Sequence, residues 1–391
     1  MSSRLRLWIT GLLPLLLLAG LTVVFLRVGP LGVFRAAFPP VEDLTIERIR
    51  LPEHDRMEIH VTNGGPEPVT VAQVMVDEAY WPFSIEPGNT IPRLHSATIR
   101  LDYPWVQGES HEVVLVSSTG LTFGSVIDVA TQSPQPNARY LATFTLLGVY
   151  VGVIPVFLGL LWFPFLRRVP RRWIHFFLSL TVGLLVFLGI DALHEAVELH
   201  EGVPEAFNGM GLIIVGLLGA LFGLIAVGRW LRGRRLASNT SSHLWVALLI
   251  ALGIGLHNLG EGLAIGAAYS IGAISLGAFL VIGFAIHNTT EGLGIVAPLA
   301  QERPTLWQLM TLGAVAGVPT ILGAWVGGFT YEPALAVFFL ALGAGAIFQV
   351  VWELSKLIRR ESEAGWAAPL NALGLVAGLL VMYSTALLVP V

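Results

Sequence analysis

A chain of 391 residues that is 54% hydrophobic and only 12% charged, with a mean hydropathy of +0.74, is too apolar for a soluble globular protein and belongs in lipid. Its net charge is −4, and its basic residues stand in short clusters beside apolar runs, so a nucleic-acid partner is not expected. Without cysteine, disulfides and thiolate metal sites are excluded, and any bound metal must be held by nitrogen and oxygen.

The apolar run from Leu7 to Leu26 follows Arg4 and Arg6 and closes at Arg27. It is long enough to cross a bilayer, so residues 1–30 are expected to form an N-terminal transmembrane anchor with the N-terminus in the cytoplasm. A signal peptide is the competing reading, but no small-x-small cleavage site stands out.

Residues 39–138 change character. Leu44 to Leu51, Met57 to Thr62, Val69 to Val76, Ala97 to Leu101 and Glu112 to Val116 alternate or are β-branched, and Asn63-Gly64-Gly65, Pro87-Gly88 and Pro104 punctuate them. That pattern predicts a small all-β, sandwich-like domain outside the cytoplasm.

From Leu141 to the end, eight apolar runs predict eight membrane spans, at 141–164, 173–193, 209–231, 244–269, 272–298, 307–328, 333–357 and 367–389. Arg167, Arg168, Arg171 and Arg172, the basic run from Arg229 to Arg235, Arg303, and Lys356, Arg359 and Arg360 all fall on one side of these spans. By the positive-inside rule that side is cytoplasmic, and the β domain and the C-terminus are extracytoplasmic.

Span four contains His257-Asn258-Leu259-Gly260-Glu261-Gly262-Leu263, and span five contains His287-Asn288-Thr289-Thr290-Glu291-Gly292-Leu293. The same HNxxEGL pattern thus occurs twice on adjacent antiparallel spans, near the middle of each. On a helix, His and Glu four apart share one face with Asn beside them, so each span offers half a coordination shell. A Glu at mid-membrane costs about 2.5–3.5 kcal/mol on insertion scales. Hydrogen-bonding polar glue between helices would offset part of that cost. The duplication favours a divalent cation at a midplane transport site instead, since a dication binds neutral imidazole and carboxylate together. Mixed N/O donors suit zinc, iron, manganese, cobalt, nickel or cadmium rather than magnesium or calcium.

In these motifs the sequence resembles the ZIP family of zinc and iron transporters, in particular its bacterial branch. Gly189-Ile190-Asp191-Ala192-Leu193-His194 and Val351-Trp352-Glu353-Leu354 are similar to stretches of spans two and seven in that family. The resemblance covers residues 141–391. It implies an eight-helix bundle in a 3+2+3 inverted repeat, with His257, Asn258, Glu261, His287, Asn288 and Glu291 as the metal site and zinc as the first candidate substrate. In many relatives a second metal takes a further Glu from span six. Here Val318 precedes Pro319 where Glu-Pro is expected, and the family's His-rich loop before span four is reduced to His243.

Asp191, His194, Glu195 and Glu198 share one helical face at the outer end of span two and are expected to gather cations for entry. Glu353 is a candidate exit ligand, with pairing to Lys356 as the alternative. His54, His60, His95 and His111 are candidates for metal capture by the β domain.

The reading is a metal-uptake transporter of the cell membrane working by alternating access, with a homodimer as one expected assembly. It needs no catalytic cofactor, and its partners are metal ions and the bilayer. An intramembrane metal-dependent hydrolase and a metal sensor acting through the β domain are the rivals.

Overall fold

The computed structural model describes residues 12–13, 15–21, 23, 41–235, 242–270, 272, 274–330, 332–362 and 365–387. The anchor expected at 1–30 lies mostly outside these residues, and the part inside them is helical. Residues 42–391 form one compact unit, separate from residues 1–41.

The expected all-β segment is a two-sheet sandwich. Its strands are β1 (Leu44–Glu53), β2 (Arg56–Asn63), β3 (Val69–Val76), β4 (Ala79–Trp81), β5 (Phe83–Glu86), β6 (Thr90–Ile91), β7 (Ser96–Leu101), β8 (His111–Ser117) and β9 (Thr122–Ile127). One sheet runs β1-β2-β7-β5 and the other β4-β3-β8-β9, with β6 paired to β3. Alternation builds the core, because Met57, Ile59 and Val61 of β2 turn the same way as Ile99 and Leu101 of β7 and meet Val113 and Leu115 of β8 in the interior. Asp77 and Glu78 both adopt left-handed φ, 49° and 64°, as a two-residue turn between β3 and β4 requires.

Among the described residues seven helical stretches are long and apolar enough to cross a membrane: 138–166, 171–202, 205–229, 243–270, 280–299, 306–330 and 333–360. They match expected spans one to seven. The run expected as span eight holds the helix Pro369–Ala386, whose apolar part, Pro369–Ser384, is shorter than the seven. At 1.5 Å per residue 18 residues reach about 27 Å. Exposed Leu146, Tyr150, Leu161, Val215, Phe222 and Trp307 give the bundle an apolar exterior, so the chain is an integral membrane protein.

Two spans are interrupted. Span one consists of a helix at Ala138–Gly148, a wide π turn at Val149–Val153, and helices at Ile154–Leu160 and Phe163–Leu166. Pro155 has no N–H to give to the carbonyl four residues back, that of Val151. Span six, predicted as a single run, is two helices, Leu306–Gly317 and Pro319–Thr330, divided at Val318 where Pro319 breaks the ladder. A capping box of Thr305 and Gln308 starts its first half.

Span four packs on spans six and seven, and span five packs chiefly on span one. The span-one/span-five contact is a crossing of two glycines. A Cβ on Gly159 would lie 2.6 Å from Gly292 Cα, and one on Gly292 would lie 2.8 Å from Gly159 Cα. Only glycine on both sides permits that approach.

The β domain sits at the end of the bundle that carries the turns after spans two, four and six. A Cβ on Gly64 would meet Pro204 Cβ at 3.3 Å, and one on Gly272, whose φ is +81°, would meet Val129 O at 2.8 Å. Burial and then the neighbouring Glu205 carboxylate raise the Asp43 carboxyl. Burial likewise raises Glu47, which also feels Glu332 after span six.

Candidate metal site in the bundle

The two HNxxEGL segments meet inside the bundle. His257, Asn258, Glu261, His287, Asn288 and Glu291 are all buried, none more than 7% exposed. Antiparallel pairing of spans four and five brings one ligand atom each of His257, His287 and Glu291 within 4.8 Å of one another. Two ligands held 2.0–2.2 Å from one zinc are about 3.4 Å apart, so side-chain movements of about 1 Å complete a shell.

Glu261 is the hub. Its Oε1 accepts from His257 Nε2 at 3.1 Å and from His287 Nε2, and its Oε2 accepts from Asn288 Nδ2 at 2.9 Å. The His257 and His287 rings lie 6.3 Å apart between centroids. One carboxylate oxygen therefore stands between two imidazole nitrogens, the position from which a dication would draw all three ligands.

The two asparagines are anchored by main-chain carbonyls of the interrupted spans. Asn288 Nδ2 donates to Val151 O in the π turn at 3.0 Å, and Asn258 Nδ2 donates to Ala316 O, two residues before the break in span six, at 3.1 Å. Only the NH2 end of an amide can donate, so these bonds fix each Oδ1 as the free end. Asn258 Oδ1, Asn288 Oδ1 and His257 Nδ1 are buried without a hydrogen-bond partner among the described residues, while Glu291 is bonded by the Asn258 side chain. Glu291 faces Glu261 and Asn258. Buried polar atoms are normally satisfied, so a cluster of this kind is a candidate site for an ion or for ordered water.

Of the expected entry residues, Asp191, His194 and Glu198 are exposed and Glu195 is half-buried, on a helix that continues unbroken to Leu199. His194 Nδ1 lies 3.4 Å from Glu198 Oε1. Asp191 is within electrostatic reach of His257 and His287, and Glu195 is within reach of Glu261. Glu353 is buried at the other end of the bundle, where Lys356 Nζ donates to it at 2.6 Å. That contact is the pairing alternative of the sequence reading.

The β-domain histidines do not come together. His54 stacks on Trp105, and His95 Nδ1 bonds Arg93 O at 2.9 Å. His60 Nδ1 lies 3.2 Å from Thr98 Oγ1, and burial, then Arg48, depresses this imidazole to about 4. His111 Nδ1 is 2.8 Å from Asp77 Oδ2, which also accepts from Tyr103. Partial burial opposes ionisation of Asp77, but the bonds from Tyr103, His111 and the Glu112 backbone win and hold its carboxyl below the usual range. Among the described residues none of these histidines belongs to a three-ligand group.

Sequence reasoning missed Val151 and Ala316, which act through main-chain oxygen and so have no residue-type signature; Pro155 and Pro319 were the available signals. It also looked to position 318 for the side chain from span six. Val318 is 40% exposed on the outside of the bundle, and the neighbouring side chain that turns inward is Thr320, which is fully buried.

Residues 234–385 match the family model for the ZIP Zinc transporter. The matched segment holds spans four to seven and most of span eight, including both HNxxEGL motifs. The matched part of the chain is thus similar to a family of zinc transporters. No curated protein matches the chain.

Proposed function

We propose that the protein carries divalent transition-metal ions, zinc first among them, across the cell membrane into the cytoplasm by alternating access. His257, Asn258, Glu261, His287, Asn288 and Glu291 form the transport site. The observation that carries this reading is the buried convergence of two imidazoles, two carboxylates and two amides with several donor atoms unpartnered among the described residues. A dication satisfies several such Lewis bases in a low-dielectric interior at once.

Asp191, His194, Glu195 and Glu198 collect the ion at the β-domain end, which the basic clusters at the opposite end make the extracytoplasmic one. Glu353 receives it near the cytoplasmic end. Spans one and six each present an interruption and a main-chain carbonyl to one asparagine of the pair. That correspondence supports an inverted repeat relating spans one to three and six to eight, with spans four and five between them. The two halves then rock against spans four and five to open the site alternately. A homodimer through the apolar exterior is the proposed assembly.

The test is flux. Purified protein in sealed proteoliposomes containing a zinc-sensitive dye should admit zinc down its gradient, and His287→Ala should abolish entry while keeping the protein folded. A protein that binds zinc but admits none, or that hydrolyses a substrate only with zinc present, would overturn transport in favour of a sensor or a hydrolase.

A further inference from the structure

The turn between spans one and two reads Arg167-Arg168-Val169-Pro170-Arg171-Arg172 and lies at the end of the bundle away from the β domain. All four arginines are exposed, and none forms an ion pair among the described residues. Two acids at this end are taken elsewhere, Glu302 by His243 at 2.8 Å and Glu353 by Lys356. Guanidiniums crowded in one turn without a counter-charge repel one another, so an anion brought among them relieves that repulsion and accepts hydrogen bonds from them.

Two of the four are already held in place. The Arg167 guanidinium carbon lies 5.8 Å from the centre of the Phe163 ring, and Arg171 donates to Gln301 Oε1, after span five, at 3.3 Å. A guanidinium carries more N–H donors than these contacts use, so both keep donors for an oxyanion. Next to the turn a ladder of edge-on rings joins the two spans. Trp173 meets Phe176 at 5.5 Å between centroids, Phe176 meets Phe177 at 5.5 Å, and Phe177 meets Phe165 at 6.1 Å. The ends of the ladder are its exposed members, Phe165 at 52% and Trp173 at 39%. A hydrated anion gains nothing from exposed rings, whereas the glycerol and upper acyl chains of a lipid pack on them.

We propose that this turn and its ring ladder bind one anionic phospholipid of the surrounding bilayer. Its phosphate sits among the arginines, and its glycerol and upper acyl chains lie on Phe165 and Trp173. Because Arg171 also holds Gln301, a headgroup there joins the ends of spans one, two and five. This binding does not depend on the metal site.

Native mass spectrometry of the purified full-length protein in a non-ionic detergent tests it, with phosphatidylglycerol, phosphatidylcholine of the same chains and inorganic phosphate titrated separately. Phosphatidylglycerol should bind more tightly than either of the others by about tenfold or more. Each arginine at an anionic lipid contributes about fivefold, so Arg168→Gln with Arg172→Gln should weaken phosphatidylglycerol by about 25-fold. Neither of these two arginines has an internal partner among the described residues, so the fold is left alone. The same pair changed to lysine should keep most of the affinity, because the charge remains. Arg359→Gln with Arg360→Gln, at the end of span seven, should leave it unchanged. Equal binding of phosphatidylcholine would overturn the proposal, and so would equal losses in the two glutamine pairs or no loss in either. Inorganic phosphate binding as tightly as phosphatidylglycerol would overturn it in favour of a plain anion site.

Discussion

Replacing Gly159 by alanine tests whether the glycine crossing of spans one and five positions the metal site. The new Cβ would stand 2.6 Å from Gly292 Cα, against an ordinary carbon–carbon contact of about 3.5–4.0 Å. The helices must therefore part by about 1 Å. Asn288 lies one turn before Gly292, and its bond to Val151 O is 3.0 Å, so the same movement stretches it to about 4 Å and breaks it. Overpacking costs about 1–3 kcal/mol, and alanine returns up to about 1 kcal/mol in helix propensity. The net expectation is a loss of about 1–2 kcal/mol and, with Asn288 released, zinc binding weaker by about tenfold. Thermal unfolding in detergent with and without zinc reads both. The control is Gly219→Ala on span three, where a Cβ would meet nothing within 4 Å. It should be neutral, or stabilising by up to about 1 kcal/mol. If Gly159→Ala matched Gly219→Ala in both stability and zinc affinity, the crossing would not be what sets the site.

Two further outcomes follow from the structure. Val318→Glu should place its carboxylate toward lipid, lowering membrane insertion without adding a second bound zinc; a gain of one ion per chain would show that position 318 faces the site after all. In the β domain, burial and then Arg48 depress His60 to about 4 from 6.5, so the unfolded chain takes up this proton before the folded one does. Stability from His60 is therefore complete above pH 6.5 and lost as pH falls toward about 4. Hydrogen exchange in β2, corrected for intrinsic rate, should show that loss in the wild type but not in His60→Gln, and identical slopes would refute it.

The parts of the molecule legible in its sequence are those written in side-chain chemistry. Two copies of HNxxEGL at mid-span named the six residues that the fold brings together, because a polar triad on one helix face needs a partner face. Apolar length likewise located spans one to seven, and alternation located β1, β2, β3, β7 and β8. Written in backbone geometry, and so hidden, were the π turn at Val149–Val153 and the service of Val151 and Ala316 as anchors. The short strands β4, β5 and β6 were hidden because two to four residues carry too little alternation to register.

The central claim is that one dication is held jointly by spans four and five through imidazole and carboxylate. X-ray absorption of the zinc-loaded, purified protein tests it most directly. The expected spectrum is a mixed nitrogen and oxygen shell at about 2.0–2.2 Å with the outer-shell scattering of two imidazoles, reduced to one by His257→Ala or by His287→Ala. An all-oxygen shell, or zinc whose spectrum ignores both substitutions, would contradict it.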